Sequence, residues 1–374
     1  MNVAFVCLNL EMGGIETNLV LLTRQFVRKG HQVTVISNGG PLERDIICEG
    51  GRAERLALYR TKAFTSGPQL AKTLRRVKPD VVHVFAASCC VAMWVARTFF
   101  RPWPGRRPPV VVSSVMGLQN SPDEPMITTF LRNWLLTLGV DLTIMTSPVI
   151  ARHFRFIPIS RRRLRAQPVC GVVLPERPPH ADLLRLRSGL GLRPDDRVVV
   201  TIGQLEPRKS HDLFVRAAAI VCETHRDVQF LIAGEGRLRQ DLTALIDELG
   251  VRDRVRLLGL RRDVPALLSL ADVCVKPGIV DGFLGITVLE AQSVGTPVVA
   301  FDAEDVREAI IDGRTGLLAR NGDYRDLAAK LTDLLDDPAK AGALARQGHA
   351  LVRERFDIEV VAGGLLTLYD AVQA

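Results

Sequence analysis

The fold of this 374-residue chain is decided by residues 3–30, which are VAFVCLNLEMGGIETNLVLLTRQFVRKG. A β-branched apolar run comes first, a turn with two adjacent glycines follows, and apolar residues then recur at helical spacing up to a basic last turn and a glycine. Residues 198–216 are VVVTIGQLEPRKSHDLFVR and again lead from an apolar run through a turn into a helical pattern. A buried strand that leads directly into a helix is the repeating unit of a parallel α/β sheet. Each half of the chain is therefore expected to form one such sheet.

Further short apolar runs, bounded by Gly, Pro or polar residues, predict the other strands. In the first half the predicted strands are Val3–Leu8, Val33–Ser37, Val81–Phe85, Val110–Val115, Leu142–Met145 and Val169–Leu174. In the second half they are Val198–Ile202, Val228–Ala233, Val255–Leu258, Val273–Val275 and Val298–Phe301. Near-continuous apolarity is typical of parallel strands that helices cover on both faces. The predicted fold class is α/β, with two doubly wound domains in tandem.

The domain boundary is predicted from proline. Three prolines fall within Pro175–Pro179, and repeated proline disfavours both helices and central strands. We expect a first domain over residues 1–178 and a second over 179–355. The last stretch, 356–374, is predicted to be a helix that could pack across both. In doubly wound sheets ligands bind beyond the carboxyl ends of the strands, so the cleft between two such domains is the expected site.

Composition and cysteine spacing exclude several classes of protein. Hydrophobic residues make up 47% and charged residues 24%, which excludes a disordered chain. No apolar stretch approaches the length of a membrane-spanning helix, and no basic leader precedes the first apolar run. The seven cysteines show neither a disulfide framework nor zinc-binding spacing. We expect a cytoplasmic protein without a metal site.

Positive charge is concentrated in the first half of the chain. Residues 1–180 hold 24 Lys and Arg against 11 Asp and Glu, a net +13, whereas the remainder has a net −5. Aromatic residues Phe99, Phe100 and Trp103 lie beside several of these arginines, a combination that suits an anionic lipid surface at the inner face of the cell membrane. A solvated arginine-rich face is the alternative interpretation. No helix-turn-helix, RRM or OB pattern accompanies the charge, so nucleic acid is not an expected partner.

Candidate ligand-binding residues follow the predicted strands. Gly13 and Gly14, with Glu16 one turn into the helix, would let backbone N–H groups approach a phosphate at a helix N-terminus. In the second half Lys209 opens a helix after a sharp turn and can meet a diphosphate as a point charge. Glu290 lies one turn inside the helix after a glycine-rich loop, where a carboxylate can accept ribose hydroxyls. No G-x-G-x-x-G fingerprint is present, which argues against a nicotinamide or flavin dehydrogenase.

Five motifs in order resemble glycosyltransferase family 4, over nearly the whole chain. They are GGxE at 13–16, GxLEPxK at 203–209, GxG at 234–236, GxxxxEA continuing to GTPVV at 285–299, and Glu308 with DGxTGLL ending at 318. The resemblance implies a GT-B fold, in which two Rossmann-like domains face a cleft. It further implies a retaining, metal-independent transferase of cell-envelope or polysaccharide biosynthesis. The nucleotide-sugar donor would be a substrate rather than a cofactor, and the acceptor would be a glycan, a lipid-linked sugar or a small molecule.

The resemblance also implies roles for individual residues. The second domain would bind the donor, with catalytic Lys209 on the diphosphate and Glu290 on the ribose. The remaining donor-binding positions would be Gly14, Gly203, Gln204, Gly234, Gly236, Leu260, Arg261, Gly285, Ile286 and Thr287. On the acceptor side the candidates are Gly13, Glu16, His83, Met116 and Gly117. His83 could line the acceptor cleft or be a core histidine with satisfied hydrogen bonds.

Three positions depart from the family pattern. Gln204 stands where the family has an arginine that faces the diphosphate; Arg208 is the nearest replacement, but adjacent helix positions direct Arg208 and Lys209 differently. Met116, before Gly117, stands where a histidine is common. The partner acid of Glu290 falls on Gly282 unless a one-residue insertion restores catalytic Asp281.

These departures leave three functions open. An active transferase could survive them if the donor phosphate itself takes the proton of the acceptor. Alternatively the chain is a degenerate homologue that binds a nucleotide-sugar or a partner protein without catalysis. A GT-B sugar-nucleotide epimerase would need acid and base carboxylates in the first domain, where only Glu11 and Glu16 are candidates.

Overall fold

A computed structural model gives the structure of the chain in two compact units. Unit 1 comprises Met1–Gly171 and Ile358–Ala374, and unit 2 comprises Val172–Asp357. The described residues are 1–11, 13–58, 63–100, 108–115, 134, 137, 139–146, 164–176, 178–279, 285–303 and 306–373. The boundary predicted near residue 178, between a first domain over 1–178 and a second over 179–355, remains a prediction.

Unit 1 contains a parallel sheet of seven strands. They are β1 Asn2–Val6, β2 Gln32–Ser37, β3 Arg52–Arg55, β4 Val81–Val84, β5 Val110–Val115, β6 Leu142–Met145 and β7 Leu164–Ala166. Their order in the sheet is β3-β2-β1-β4-β5-β6-β7. The chain therefore runs from β1 to one edge, returns to β4 beside β1, and continues to the other edge. This reversal puts the loops that follow β1 and β4 side by side.

Helices cover the sheet of unit 1 because each has one apolar stripe. The described helices are α1 Gly14–Arg28, α2 Glu43–Cys48, α3 Ala63–Val77, α4 Ala87–Phe99 and, at the end of the chain, α12 Ile358–Gln373. Leu19, Leu22 and Phe26 of α1 are fully buried at helical spacing. The last helix packs against α1 and β5.

Unit 2 contains a second parallel sheet, of six strands. They are β8 Arg197–Ile202, β9 Val228–Ala233, β10 Val255–Gly259, β11 Val273–Lys276, β12 Val298–Phe301 and β13 Leu317–Ala319. The order is β10-β9-β8-β11-β12-β13, so the reversal lies between β8 and β11. In such sheets the crevice at the reversal is the usual ligand site. The loops after β8 and β11 therefore border the expected site of unit 2.

Two apolar cores sandwich the sheet of unit 2. The described helices are α5 His180–Gly189, α6 His211–Thr224, α7 Arg239–Glu248, α8 Val264–Leu270, α9 Ile286–Ser293, α10 Tyr324–Asp336 and α11 Pro338–Arg355. One core includes Val273 and Val275 with residues of α6, α7 and α10, and the other includes Cys274 with residues of α8, α9 and α11. Successive residues of β11 thus alternate between the two faces, as a strand requires.

Three strands of unit 1 differ from the prediction. The prediction of a strand at Val169–Leu174 is wrong: Val172 forms only an isolated bridge with Asp357, and the last strand of unit 1 is β7. Both β7 and β3 are short, polar and at the sheet edges, where no apolar run is needed. The α/β class with two doubly wound sheets is confirmed.

Candidate functional site

The loops after β8 and β9 lie backbone against backbone at the carboxyl edge of unit 2. A Cβ on Gly234 would lie 1.9 Å from the carbonyl oxygen of Gly203, and one on Gly236 would lie 2.5 Å from that of Leu205. The backbone N–H of Leu205 also donates to the Glu235 carbonyl at 2.9 Å. Only glycine permits this approach, so the GxG motif is needed for the packing of the two loops.

Lys209 folds back over the end of β8. It ends a single 3₁₀ turn, Pro207–Lys209, and its Cδ and Cε atoms lie 3.7 and 3.8 Å from where a Cβ on Gly203 would be. The following residue, Ser210, has the left-handed conformation with φ of 49° and ψ of 41°, and α6 then begins at His211. The lysine side chain therefore crosses the carboxyl edge of the sheet, beside the reversal between β8 and β11.

His211 supports this loop and was missed by sequence reasoning. Its side chain is 1% exposed, and Nε2 lies 3.3 Å from the Gln204 carbonyl oxygen. Within the described part of the chain its Nδ1 has no hydrogen-bond partner. Burial lowers the pKa of His211 to about 4, so the ring is neutral at pH 7. The positive charge of this loop therefore comes from its lysine and arginine side chains.

Gln204 and Arg208 are in contact within the loop after β8. The Arg208 Nη2 donates to the Gln204 Oε1 at 3.0 Å. The prediction that Arg208 points elsewhere from Lys209 assumed a regular helix at both positions. That assumption is wrong, because both residues lie in the 3₁₀ turn and both side chains fold back on residues 203–204.

Across the reversal, α9 carries the other donor-site candidates. Gly285 precedes this helix, and Ile286 and Thr287 form its first turn, where backbone N–H groups lack acceptors inside the helix. Glu290 is half-buried one turn further on, and burial raises its pKa to about 7. Glu290 is therefore close to half-ionised at neutral pH, a property that sequence spacing does not reveal.

Lys276 is a second buried residue near the strand reversal to which the sequence motifs assign no role. It ends β11 at the reversal, is 5% exposed, and its Nζ donates to the Gly278 carbonyl at 3.4 Å. The sequence signal that could have identified it is a single lysine at the end of an otherwise apolar strand.

Leu260 and Arg261 lie two strands away from Lys209, after edge strand β10. Leu260 is 73% exposed and so packs in neither core of unit 2. The Arg261 guanidinium binds both carboxylate oxygens of Asp263, at 2.9 and 2.5 Å. An exposed aliphatic side chain beside a fixed guanidinium offers a flat surface for a planar ring.

In unit 1, Gly13, Gly14 and Glu16 lie at the reversal between β1 and β4. A Cβ on Gly13 would lie 2.3 Å from the Glu16 Oε2, so the carboxylate is folded over the N-terminus of α1. Burial raises the pKa of Glu16; a backbone hydrogen bond opposes this rise, and the Glu11 carboxylate adds to it. In this structure the Glu16 carboxylate thus lies beside the helix end where Gly14 was expected to meet a phosphate.

His83 is a core histidine of unit 1. It is fully buried, its Nδ1 lies 2.5 Å from the Tyr369 hydroxyl, and its Nε2 lies 2.5 Å from the Ser114 hydroxyl. Burial lowers the pKa of His83 to about 3.

Three of the sequence candidates, Asp281, Met116 and Gly117, lie outside the described residues. Among those described, no three His, Cys, Asp or Glu side chains form a cluster that could hold a metal ion.

Solved structures share this architecture. The chain matches a crystal structure of Anabaena Alr3699/HepE in complex with UDP with a TM-score of 0.85, over 99% of this chain and 100% of that one, at 19% identity. This likeness shows the fold, and with it the GT-B class that the motifs predict.

Sequence relatives identify the family. Residues 12–168 match the profile of Glycosyltransferase Family 4, and residues 185–350 match that of Glycosyl transferases group 1. The chain belongs to this family. It is 33% identical to the alpha-D-kanosaminyltransferase of Streptomyces kanamyceticus over 50% of this chain and 48% of that protein. It is 36% identical to the D-inositol 3-phosphate glycosyltransferase of Nocardia farcinica over 52% and 46%, respectively. The chain thus spans about half the length of these two relatives.

Proposed function

We propose that this protein is a retaining, metal-independent glycosyltransferase that moves a sugar from a nucleotide-sugar to an acceptor hydroxyl. The observation that carries the proposal is the position of Lys209, in the loop after β8, and of Glu290, on the helix α9 that follows β11, on the two sides of the strand reversal of unit 2. A cation on one side and a carboxylate on the other match the two ends of a nucleoside diphosphate. The Lys209 ammonium would bind the diphosphate, and Glu290 would accept the ribose hydroxyls.

In the proposed reaction the bond between the anomeric carbon and the donor phosphate oxygen breaks, and a bond from the acceptor oxygen to that carbon forms on the same face. The acceptor proton passes to the departing diphosphate oxygen, so no protein base is required. Negative charge develops on the diphosphate as it leaves. Lys209 and the N–H groups of Ile286 and Thr287 would stabilise that charge, which is the role that electrostatic groups have in such sites.

Calorimetric titration with UDP, GDP, ADP and dTDP tests the donor site. UDP is the first choice because a structural neighbour was crystallised with it. We expect one nucleotide to bind, and Lys209→Ala to weaken that binding by about 1.5–3 kcal/mol, the contribution of a charged hydrogen bond. Lys340→Ala is the matched control, since Lys340 pairs with Asp333 on helices away from the strand reversal. Equal losses in the two variants would contradict the assigned role.

A transfer assay then separates an enzyme from a binding protein. Incubation of the matching nucleotide-sugar with an acceptor panel, followed by NMR of the anomeric proton, should give a product of retained configuration, with a rate that EDTA leaves unchanged. If the protein binds the nucleotide-sugar but transfers the sugar to no acceptor, it is a degenerate homologue without catalytic activity. The observation that favours this second candidate is Gln204, which stands where the family has an arginine.

The acceptor end of the proposal includes a membrane contact through unit 1. On α3 and α4, Phe64 and Phe99 are each 65% exposed and flank Trp94, with ring centroids 6.3 and 5.8 Å from it. Arg75 lies next to this aromatic surface and donates to the Phe100 carbonyl at 2.5 Å. Exposed aromatic rings beside arginine suit the headgroup region of an anionic bilayer at the inner face of the cell membrane. Trp103 and its neighbouring arginines lie outside the described residues, and no described helix is long and apolar enough to cross a membrane.

Vesicle flotation tests the membrane contact. We expect binding to phosphatidylglycerol vesicles that weakens with salt and is absent with phosphatidylcholine alone. The double variant Phe64→Ala/Phe99→Ala should lose most of this binding. Leu184→Ala, which removes an exposed apolar side chain of unit 2, is the control and should bind as the wild type does. If the double variant floats as well as the control, these aromatic residues do not form the contact.

A further inference from the structure

We propose that the backbone N–H of Gln204 binds the donor diphosphate, and that the buried side chain of His211 is the positioning group that fixes the direction of this N–H. This role rests on the proposed function and adds one backbone donor to the diphosphate site of unit 2. It depends on the peptide groups of the loop after β8 and not on the charged side chains of that loop.

The chain keeps the hydrogen-bonding pattern of a strand after β8 ends. In the ladder between β8 and β9, Ile202 pairs with Ala233, and the Gly203 N–H donates to the Ala233 carbonyl at 3.0 Å. The Leu205 N–H then donates to the Glu235 carbonyl at 2.9 Å, which continues the same register two residues further on. Alternate N–H groups of a strand face the same neighbouring strand, so those of Gly203 and Leu205 both face the side of β9.

The Gln204 N–H lies between these two groups and therefore faces the opposite side, towards β11 and the strand reversal. β11 pairs with β8 at Val199 and Val200, so that ladder has ended before the chain reaches Gln204. Among the residues that the structure describes, the Gln204 N–H has no acceptor. A backbone N–H directed from the end of a strand into the crevice at the reversal is a suitable donor to a phosphate oxygen.

His211 holds the peptide group that follows this N–H. The Gln204 carbonyl oxygen accepts from the Glu206 N–H at 2.8 Å, and the His211 Nε2 lies 3.3 Å from the same oxygen. Because a carbonyl oxygen can only accept, Nε2 carries the ring proton. The N–H of the same peptide group belongs to Leu205 and is held by the Glu235 carbonyl. Both ends of this peptide group are thus fixed, and the orientation of the Gln204 backbone is fixed with them.

Packing alone does not explain a histidine at position 211. The ring is 1% exposed, and its Nδ1 has no hydrogen-bond partner in the described part of the chain. A buried nitrogen without a partner is destabilising, and an apolar side chain of similar size would avoid that cost. Burial lowers the pKa of His211 to about 4, so the ring donates from Nε2 as a neutral group at pH 7. The property that distinguishes this residue is therefore its donor to the Gln204 carbonyl.

The oriented N–H would contribute most when the diphosphate departs. Negative charge on the diphosphate increases in that step, and a donor that is already directed at it needs no reorganisation. The amide keeps its proton throughout, so no covalent change at Gln204 is involved.

Two variants of nearly equal side-chain length test this role by calorimetry with UDP and uridine. His211→Met removes the donor and should weaken UDP binding by roughly tenfold, as loss of a hydrogen bond to a charged group does, while uridine binding stays unchanged. His211→Gln ends in an amide that can still donate to the Gln204 carbonyl, so it should bind UDP to within a few-fold of the wild type. His225→Met is the control, because His225 lies at the opposite end of α6 and contacts Asp336; it should bind UDP as the wild type does.

NMR of the Gln204 amide gives a readout that a purely structural role of His211 would not change. In deuterated, isotope-labelled wild type, UDP should move the Gln204 amide proton downfield and slow its exchange with solvent, whereas uridine should do neither. His211→Gln should show the same response to saturating UDP. In His211→Met the response should be smaller, because the N–H is no longer held in the direction of the phosphate.

The outcomes distinguish this role from the proposed function. If the wild type binds UDP but its Gln204 amide does not respond, or if His211→Met binds UDP as well as the wild type does, the assigned role is wrong and the donor site stands. Equal losses for UDP and uridine in His211→Met, or equal losses of UDP affinity in the Gln and Met variants, would also overturn it. If the wild type binds GDP, ADP or dTDP in place of UDP, that nucleotide and its nucleoside become the probes. If it binds none of the four, the proposed function fails and this role fails with it.

Discussion

Replacing Glu290 by Gln should stabilise the folded protein and weaken nucleotide binding at the same time. The amide keeps the shape of the carboxyl group and has no charge to desolvate. Glu290 is half-buried on α9, and burial is the cause that raises its pKa from the ordinary 4.5 to about 7. A group buried for function at a cost in stability is a recognised feature of binding sites.

The size and sign of the effect follow from that pKa. A rise from 4.5 to about 7 corresponds to roughly 3 kcal/mol, because each tenfold change in the ionisation constant is worth about 1.4 kcal/mol. Between these two pH values the folded protein binds more protons than the unfolded chain, so the contribution of Glu290 to stability falls as pH rises. The penalty is absent below about pH 4.5 and fully present above about pH 7.

Urea unfolding across this pH range provides the assay. The free energy of unfolding of Glu290→Gln should equal that of the wild type near pH 4.5 and exceed it by up to roughly 3 kcal/mol at pH 8. Glu248→Gln, the same substitution at an exposed position on α7, is the control. A difference between Glu290→Gln and wild type that stays constant with pH would refute the reasoning. UDP titration of the same variant should show weaker binding.

Three further substitutions test the packing that builds the site and the core. Ser210→Gly should stabilise the protein by up to about 1 kcal/mol, because the left-handed backbone costs a residue with a Cβ about 1–2 kcal/mol, whereas Ser210→Ala should not; thermal unfolding measures both. Gly234→Ala should destabilise the protein by about 3 kcal/mol or more, since the new Cβ would lie 1.9 Å from the Gly203 carbonyl oxygen. Gly250→Ala is the control: Gly250 also has a positive φ, of 67°, but a Cβ there would meet no atom within 4 Å, so this substitution should cost only about 1 kcal/mol. Equal losses in the two variants would exclude the clash as the cause. Tyr369→Phe should cost about 1–3 kcal/mol in urea unfolding because it leaves the buried His83 Nδ1 without its partner; an unchanged midpoint would show that this hydrogen bond contributes nothing.

Most strands were predictable because their signal is local. Runs such as Val198–Ile202 are buried on both faces, so nearly every residue has to be apolar whatever lies beside it. Edge strands β3 and β7 carry no such requirement, and their polar sequences RAER and LRA gave no signal. The predicted strand at Val169–Leu174 shows the reverse error, since apolar residues there are buried without forming a strand.

The candidate site divides in the same way. Lys209, Glu290 and the glycines could be found because a turn and a helix start have sequence patterns of a few residues. The contact between Arg208 and Gln204 could not, because it forms across the 3₁₀ turn Pro207–Lys209, where a regular helix was expected to begin. The sequence placed His83 on a strand but could not identify its hydrogen-bond partners, because one of them, the Tyr369 hydroxyl, lies on a helix at the far end of the chain.

By itself the sequence determined the α/β class, the buried central strands, and the loops that carry the motifs. These follow from apolar periodicity and from turn residues, which act over short distances along the chain. Only the tertiary structure decided which loops lie side by side at the two strand reversals, which arginines are paired with carboxylates, and how far burial shifts Glu290. Those properties depend on strand order, on close backbone contacts and on solvent exclusion, all of which involve residues remote from one another in the sequence.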